Sequence, residues 1–399
     1  MNNLGKGLKI FIKETDKILL FLCLLTSSFG VIMVHSATIN SLTEGKPISR
    51  YTLIMIIAIT LGLTLCFIIS LIDYEIILRM WPVIAIACLL LMFALFKWGE
   101  GPNGRSDAKS WLPLPFAGGN FQPSELLKIG FVLTFTIHLD AVRGKINELR
   151  SIIFLGIHGL IPIGLVVLTG DLGSALVFVA IFLGMLFISG IYLRYFIGGF
   201  AVCLVALPML WIKFFSIFQK QRFLAVYYPK ALSTTVYKAL IYQQQQSVNA
   251  IGSGQLFGKG LFEGPYTQNN LIPVDESDMI FSVIGEELGF IGCICVLLLL
   301  AMIILRIVMV GRKAKDFTGS IICYGIAILI GGQSIINIGM CLKLLPSIGI
   351  TLPFFSAGGS SNLCVYIGIG IIMSIYRANQ DSSPVNFRLS HIRTPFSEA

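Results

Sequence analysis

The stretch 51-YTLIMIIAITLGLTLCFIISLI-72 runs for 22 residues without an Asp, Glu, Lys, Arg or His. At 1.5 Å per residue, a helix of that length crosses the roughly 30 Å hydrocarbon core of a bilayer. Working outward, apolar runs of similar length recur at about 17–37, 76–97, 122–140, 151–169, 171–190, 192–214, 279–307, 317–340 and 352–376, giving ten expected crossings. With 56% hydrophobic and only 12% charged residues among 399, a soluble core is excluded. The predicted fold is an all-α integral membrane protein, a polytopic bundle of about ten transmembrane helices forming a single membrane domain over 1–399.

The net charge of +9 would suggest nucleic acid in a soluble chain, but here it reports topology, and no nucleic-acid partner is expected. Lys6, Lys9, Lys13, Lys17, Arg79, Arg143, Lys145, Arg150, Arg194, Arg306, Arg312, Lys313, Lys315, Arg377, Arg388 and Arg393 fall on one side. The short segments of the other side hold Lys46, Arg50, Lys97, Arg105, Lys109 and Lys343. The bias predicts a cytoplasmic N-terminus (1–16) and a cytoplasmic tail (377–399). The first apolar run is expected to be retained as a membrane helix, because no small-residue cleavage site follows it.

Two outer segments exceed ordinary turns: 98–122, rich in Gly and Pro, and the large extracytoplasmic loop 215–278 between helices 7 and 8, which shows no obvious core of its own. The run Gln243 to Gln246 reads as incidental. All nine cysteines read as small packed hydrophobes, and the four histidines as scattered.

Ionisable groups inside or beside spans are costly and so are functional candidates. In 122-QPSELLKIG-130, Glu125 and Lys128 share a helical face; they either neutralise each other or present Lys128 to an anionic ligand. In 170-GDLGSALVF-178, Asp171 either caps the next helix or serves a polar path. In 271-LIPVDESDMIFSVIGEELGF-290, Asp278 stands at a water boundary against a low-dielectric wall, where a carboxyl is raised toward the range of a general base. Glu286 and Glu287 lie about two helical turns deeper. In 345-LPSIGITLPFFSAGGSSNL-363, Pro346, Pro353, Gly358 and Gly359 break regular helix beside Ser360, Ser361 and Asn362. That segment makes either a packing bend or a polar ligand floor, and Gln333 and Asn337 face the same alternatives. Walker, HExxH and G-x-S-x-G motifs are absent from the sequence.

The motifs QPSELLK (122–128), GDLGSAL (170–176), QSVNAIGSGQLFGKGL (246–261), DMIFSVIGEELGFIG (278–292) and LPSIGITLPFFSAGGSSNL (345–363), in this order, resemble the SEDS family of shape, elongation, division and sporulation proteins, which includes RodA, FtsW and SpoVE. The resemblance implies a peptidoglycan glycosyltransferase of the bacterial cytoplasmic membrane that polymerises lipid II into undecaprenyl-linked glycan, with a class B penicillin-binding protein as cross-linking partner. It places Asp278 on the family's catalytic acid and Arg222, in 219-QKQRFLAVYYP-229, on a family arginine. The run AIGSGQLFGKG resembles RodA-type elongation proteins most. Two departures stand out. The usual Pro-Glu-x-His-Thr-Asp is Pro273-Val274-Asp275-Glu276-Ser277-Asp278, and the common Arg-Trp is Ser110-Trp111, with Lys109 and Arg105 nearby.

On this reading Asp278 deprotonates the acceptor sugar, while Arg222, Lys128, Lys109 or Arg105 offsets the departing diphosphate. Glu125, Asp171, Ser360 and Ser361 complete the expected substrate site. No organic cofactor is expected; a divalent cation, Mg or Mn, is a candidate at Asp171, Asp275 or Glu276, although no ligand spacing is diagnostic. The rival readings are a lipid II flippase using the buried charges, a scaffold that only recruits the penicillin-binding protein, and an FtsW- or SpoVE-type polymerase for division or sporulation.

Overall fold

The computed structural model describes residues 14–41, 47–101, 109–113, 120–213 and 215–381. Lys6, Lys9, Lys13, Lys46, Arg105, Arg388 and Arg393, counted above for topology or for the site, lie outside the described residues.

The helices are α1 (Lys17–Thr38), α2 (Arg50–Leu71), α3 (Tyr74–Arg79), α4 (Trp81–Trp98), α5 (Pro123–Ala141), α6 (Leu149–Leu168), α7 (Leu172–Ile188), α8 (Leu193–Lys213), α9 (Ile217–Tyr227), α10 (Thr234–Gly254), α11 (Pro265–Gln268), α12 (Ile280–Glu287), α13 (Gly289–Arg312), α14 (Phe317–Cys341) and α15 (Gly359–Asp381). Seven are long and apolar enough to cross a membrane, and α5, α7 and α8 account for the remaining expected spans. Short polar side chains start them. Asp16, Ser49, Asp171 and Asp316 each accept a hydrogen bond from a free N–H in the first turn of α1, α2, α7 and α14.

α14 and α15 form the interior. α15 packs along α2 and touches α5, and α14 lies between α13, α7 and α5. α8 is the opposite case, with none of its described side chains buried, as suits a peripheral helix facing lipid. Seven cysteines are buried as expected, but Cys203 and Cys295 are exposed on helix surfaces.

Three expectations change. The span expected at 279–307 is two helices, because Gly289 (φ +67) turns the chain between α12 and α13. The AIGSGQLFGKG run supplies the backbone partners this break needs. Lys259 N and Gly260 N donate to Glu286 O and Glu287 O, and Phe290 N donates to Gln255 O. The approach is so close that a Cβ at Gly258 would collide with Glu287 O. The last helix begins at Gly359 rather than 352, leaving 345–358 as irregular chain.

The third change concerns the 215–278 segment, which is largely helical, consisting of α9, α10 and α11 joined by short turns. Ser216 and Gln219 close a capping box on α9. The glutamine run is not incidental: buried Gln244 Nε2 donates to Met340 O and Leu345 O, and Gln243 Nε2 donates to Pro273 O. These amides tie α10 to the chain on either side of the site. In the 98–122 segment, Leu112–Pro113 pairs antiparallel with Asn120–Phe121, and Lys109 N donates to Thr169 O at the end of α6.

Candidate active site

The N-terminal ends of α2, α5, α7 and α15 meet at one end of the bundle, where α9 and α10 also lie. They enclose a cavity of about 830 Å³. One wall is polar, with Asp278, Glu276, Arg222, Asp171, Glu125 and Ser360. The other descends α2 through Ile54, Ile57, Ala58 and Leu61, of which Ile57 and Leu61 are also exposed at the bundle surface. A polar head compartment continuous with an apolar flank suits an amphiphile better than a water-soluble substrate.

The loop that carries Asp278 is tightly turned. Val274 adopts φ +59, strained for a β-branched residue, and its carbonyl receives both Ser277 N and Met279 N. Three successive carbonyls of the loop are then captured: Glu276 O by Ala357 N at 2.9 Å, Ser277 O by Ser356 Oγ at 2.6 Å, and Asp278 O by Asn337 Nδ2 at 2.8 Å. Among the described residues, the Asp278 carboxyl has only Ser277 Oγ, at 3.4 Å, as a hydrogen-bond donor. Loss of water and then the Glu276 carboxylate push Asp278 up to about 6; Ser277 and Arg222 pull the other way, and Asp171 adds a smaller upward push. Asp275, buried behind it, is raised further by burial and by Glu276. Opposite Asp278, Gly349 (φ +70) brings bare backbone so near that a Cβ there would lie 3.4 Å from Oδ2.

The other expected residues divide by position. Arg222 lines the cavity, donates to Ser347 O at 2.8 Å and sits over the Phe218 ring. Asp171 does what its capping reading required, accepting from Ser174 N at 2.9 Å, yet it also faces the cavity and accepts from Gln122 Nε2 at 2.8 Å. Ser360 lines the cavity and accepts from Gln122 N. Ser361 lies behind the wall, accepting from Gln333 Nε2 and Thr351 Oγ1. Glu125 reaches the cavity, but Lys128 does not. Its ammonium is 1% exposed and bound to Glu125 Oε1 at 2.7 Å and Gln333 Oε1 at 3.1 Å. Lys109 is exposed, donates to Phe96 O and is absent from the wall.

Glu286 and Glu287 are fully buried away from the cavity. Glu286 accepts from Tyr266 N, Thr267 N and Thr267 Oγ1, and Glu287 from Ser36 Oγ and Gln268 Nε2. They fix α11 and α1 to the helix break. Wall residues that sequence reasoning missed are Arg50, counted only as a topology charge, and Gln243, hidden in the glutamine run. The histidines are less scattered than expected, since His138 Nδ1 and His158 Nδ1 meet at 3.0 Å between α5 and α6. Among the described residues no three His, Cys, Asp or Glu side chains converge as a metal-ligand set, and the Asp171 carboxylate is already engaged by three donors. The residues proposed for a cation therefore do not form a protein-only site.

Comparison with known proteins gives the family to which this fold belongs. The profile of the FtsW/RodA/SpoVE family, described as cell cycle protein, matches residues 16–381. The probable peptidoglycan glycosyltransferase FtsW of Geobacter sulfurreducens is 34% identical over 381 residues, covering 94% of this chain and 98% of the relative. The protein of the same name from Nitrosomonas europaea is 32% identical, covering 91% and 92%. A structure on the coordination of polymerisation and crosslinking by a peptidoglycan synthase complex superposes with a TM-score of 0.76 at 26% identity, over 92% of this chain and 98% of the other. A mutant of the rod shape determining protein RodA of Thermus thermophilus follows at 0.66 and 25%, again over 92% and 98%. Similarity thus runs to both the FtsW and the RodA branches, and with a profile match over nearly its whole length the chain belongs to the FtsW/RodA/SpoVE family of polytopic membrane proteins.

Proposed function

We propose that this protein is a peptidoglycan glycosyltransferase that polymerises lipid II at the outer face of the bacterial cytoplasmic membrane, with Asp278 as general base and both termini in the cytoplasm. The observation that carries the reading is Asp278 itself, a half-buried carboxyl on the cavity wall, raised to about 6 and within the field of Arg222. A base of that pKa is ionised at neutral pH and still able to take a proton in the transition state. It would accept the proton of the acceptor sugar's 4-hydroxyl as that oxygen attacks the donor's anomeric carbon. The bond from that carbon to the lipid diphosphate then breaks, with inversion.

The diphosphate leaves with growing negative charge, and Arg222 and Arg50 are the cations on the cavity wall that could offset it. The apolar flank along α2 offers a path for a polyprenyl tail. A class B penicillin-binding protein is the proposed partner, supported by the similarity to a peptidoglycan synthase complex. Purified protein with that partner should convert lipid II into glycan polymer, and Asp278→Ala should abolish the product; undiminished polymer would remove Asp278 from the mechanism. The flippase reading is weakened because Lys128, Glu286 and Glu287 are each buried and held by protein partners away from the cavity wall. The AIGSGQLFGKG run supports an elongation role and the FtsW relatives support a division role. Rescue of rod shape or of septation in depleted cells separates the two.

A further inference from the structure

Ser277, directly before Asp278, reaches the carboxylate only at 3.4 Å, so what holds the base in place must be sought in its backbone. Asn337, near the outer end of α14, is fully buried and is not part of the cavity wall. Its Nδ2 donates to two carbonyls, Asp278 O at 2.8 Å and Ile350 O at 2.6 Å. Both neighbours are acceptors, so only this orientation of the amide satisfies them; a flipped amide would set oxygen against oxygen. The Cys341 thiol, a single weak donor, lies within reach of either the same Asp278 carbonyl or Asn337 Oδ1. One side chain therefore joins the loop that carries the carboxyl to the irregular floor at 345–358. Loop and floor meet at the cavity, where the Cβ position of Gly349 lies 3.4 Å from Asp278 Oδ2.

We infer that Asn337 is a positioning residue for glycosyl transfer, an amide clamp that sets the Asp278 carboxylate against the Gly349–Ile350 floor through its main chain. The inference rests on the reading of Asp278 as base. Of the loop carbonyls, that of Ser277 is held by a side chain on the floor itself, and that of Glu276 by a floor N–H. Asn337 reaches loop and floor together from a third element, the membrane helix α14, and does so at the Asp278 carbonyl itself, whereas Gln243 of α10 spans them at Pro273 O and Ser347 Oγ. This makes Asn337 the span that fixes their spacing at the base. Displacing a reacting group by about 1 Å can cost on the order of 100-fold in rate.

The test is polymerisation kinetics on lipid II with the full chain and its partner, for Asn337→Leu and Asn337→Gln. Asn337→Leu should lower kcat about 10- to 100-fold, with the KM for lipid II changed by no more than about twofold, because Asn337 does not touch the cavity. Asn337→Gln, which keeps the donor amide, should recover most of the loss. The pH profile supplies a readout that a purely structural role would not move. Glu276 and Asp171 push the Asp278 carboxyl up and Arg222 pulls it down, but burial dominates. A slackened loop admits water, so the acid limb of kcat should move to lower pH. A wild-type kcat and limb in Asn337→Leu would overturn the inference, as would a lower melting temperature with both unchanged. Should Asn337→Leu not fold, Asn337→Asp, of the same shape but unable to donate to both carbonyls, is read by the same two measurements. Asp278→Asn, run alongside, separates the two claims: if it is active the base reading fails, and if it is inactive while Asn337→Leu behaves as wild type, the clamp alone fails.

Discussion

Asp278 and Glu286 sit eight residues apart in one motif, and the structure treats them oppositely. Glu286 is fully buried yet accepts three hydrogen bonds, two of them from the free N–H groups that open α11. Asp278 is only half-buried, but among the described residues its carboxyl has a single long donor, and it faces a cavity that also holds Glu276 and Arg222. Depth of burial is therefore not what marks Asp278 as the proposed base. Open hydrogen-bonding capacity is, because a carboxylate held by several protein donors has fewer lone pairs to offer a substrate. Position makes a second contrast: Arg222 lines the cavity, whereas the Lys128 ammonium is buried off the wall and held by Glu125 and Gln333.

The strongest way to break this comparison is at Asp278. Asp278→Asn should reduce polymerisation by about 100- to 10,000-fold, the contribution typical of a general base, while leaving the melting temperature near wild type. Loss of stability in place of rate would put Asp278 on the structural side. Lys128→Met should do the reverse. It leaves Glu125 buried without its cation, at a cost of about 3–5 kcal/mol, and a second change, Glu125→Gln, should restore much of that stability. Thermal unfolding of the purified single and double variants checks both statements. A fully stable Lys128→Met with raised KM would return Lys128 to the substrate site.

Much of this was legible in the sequence. Runs such as 51–72 can be satisfied only by helices in a bilayer, so the ten crossings followed from backbone hydrogen bonding alone. Asp278 was visible as the last of three acids at a loop-to-helix boundary. What composition hid was the partner of each polar group. The pairing of Lys128 with Glu125 was legible three residues away, but the inward turn to Gln333, and the Ser347 carbonyl that Arg222 reaches on the cavity wall, depend on contacts more than 100 residues away. The 215–278 segment was read as loop because α10 is held by buried amides such as Gln244, and its contacts are polar and long-range where an apolar face was sought. The break at Gly289 was equally hidden, because its backbone partners come from Gln255 to Gly260.

Glu286→Gln sharpens the comparison from the other side. The amide replaces one acceptor oxygen by a donor, so either Tyr266 N or the Thr267 pair loses its partner, at a cost of about 1–3 kcal/mol. The expected signature is a lower melting temperature with kcat unchanged in the remaining folded protein. Retained stability with lost activity would move Glu286 into the chemistry.

The smallest effect belongs to Asp275, which lies behind the base and has one buried oxygen without a partner. Burial first, and then the adjacent Glu276 charge, push its carboxyl up to about 8. The folded state therefore holds this proton more tightly than the unfolded chain, whose carboxyl titrates near 4. With more protons bound in the native state, stability falls as pH rises, starting near the unfolded value and levelling off above the folded one. Asp278 contributes the same sign, but only up to about 6, so between there and about 8 the difference between the wild type and Asp275→Asn isolates Asp275. In that window the melting temperature of the wild type should decline with pH, and Asp275→Asn, which cannot ionise, should flatten the decline. An unchanged slope in Asp275→Asn would mean that Asp275 is ionised throughout, leaving Glu276 to face a second fixed charge, and the field that tunes Asp278 would have to be reassigned to the pair.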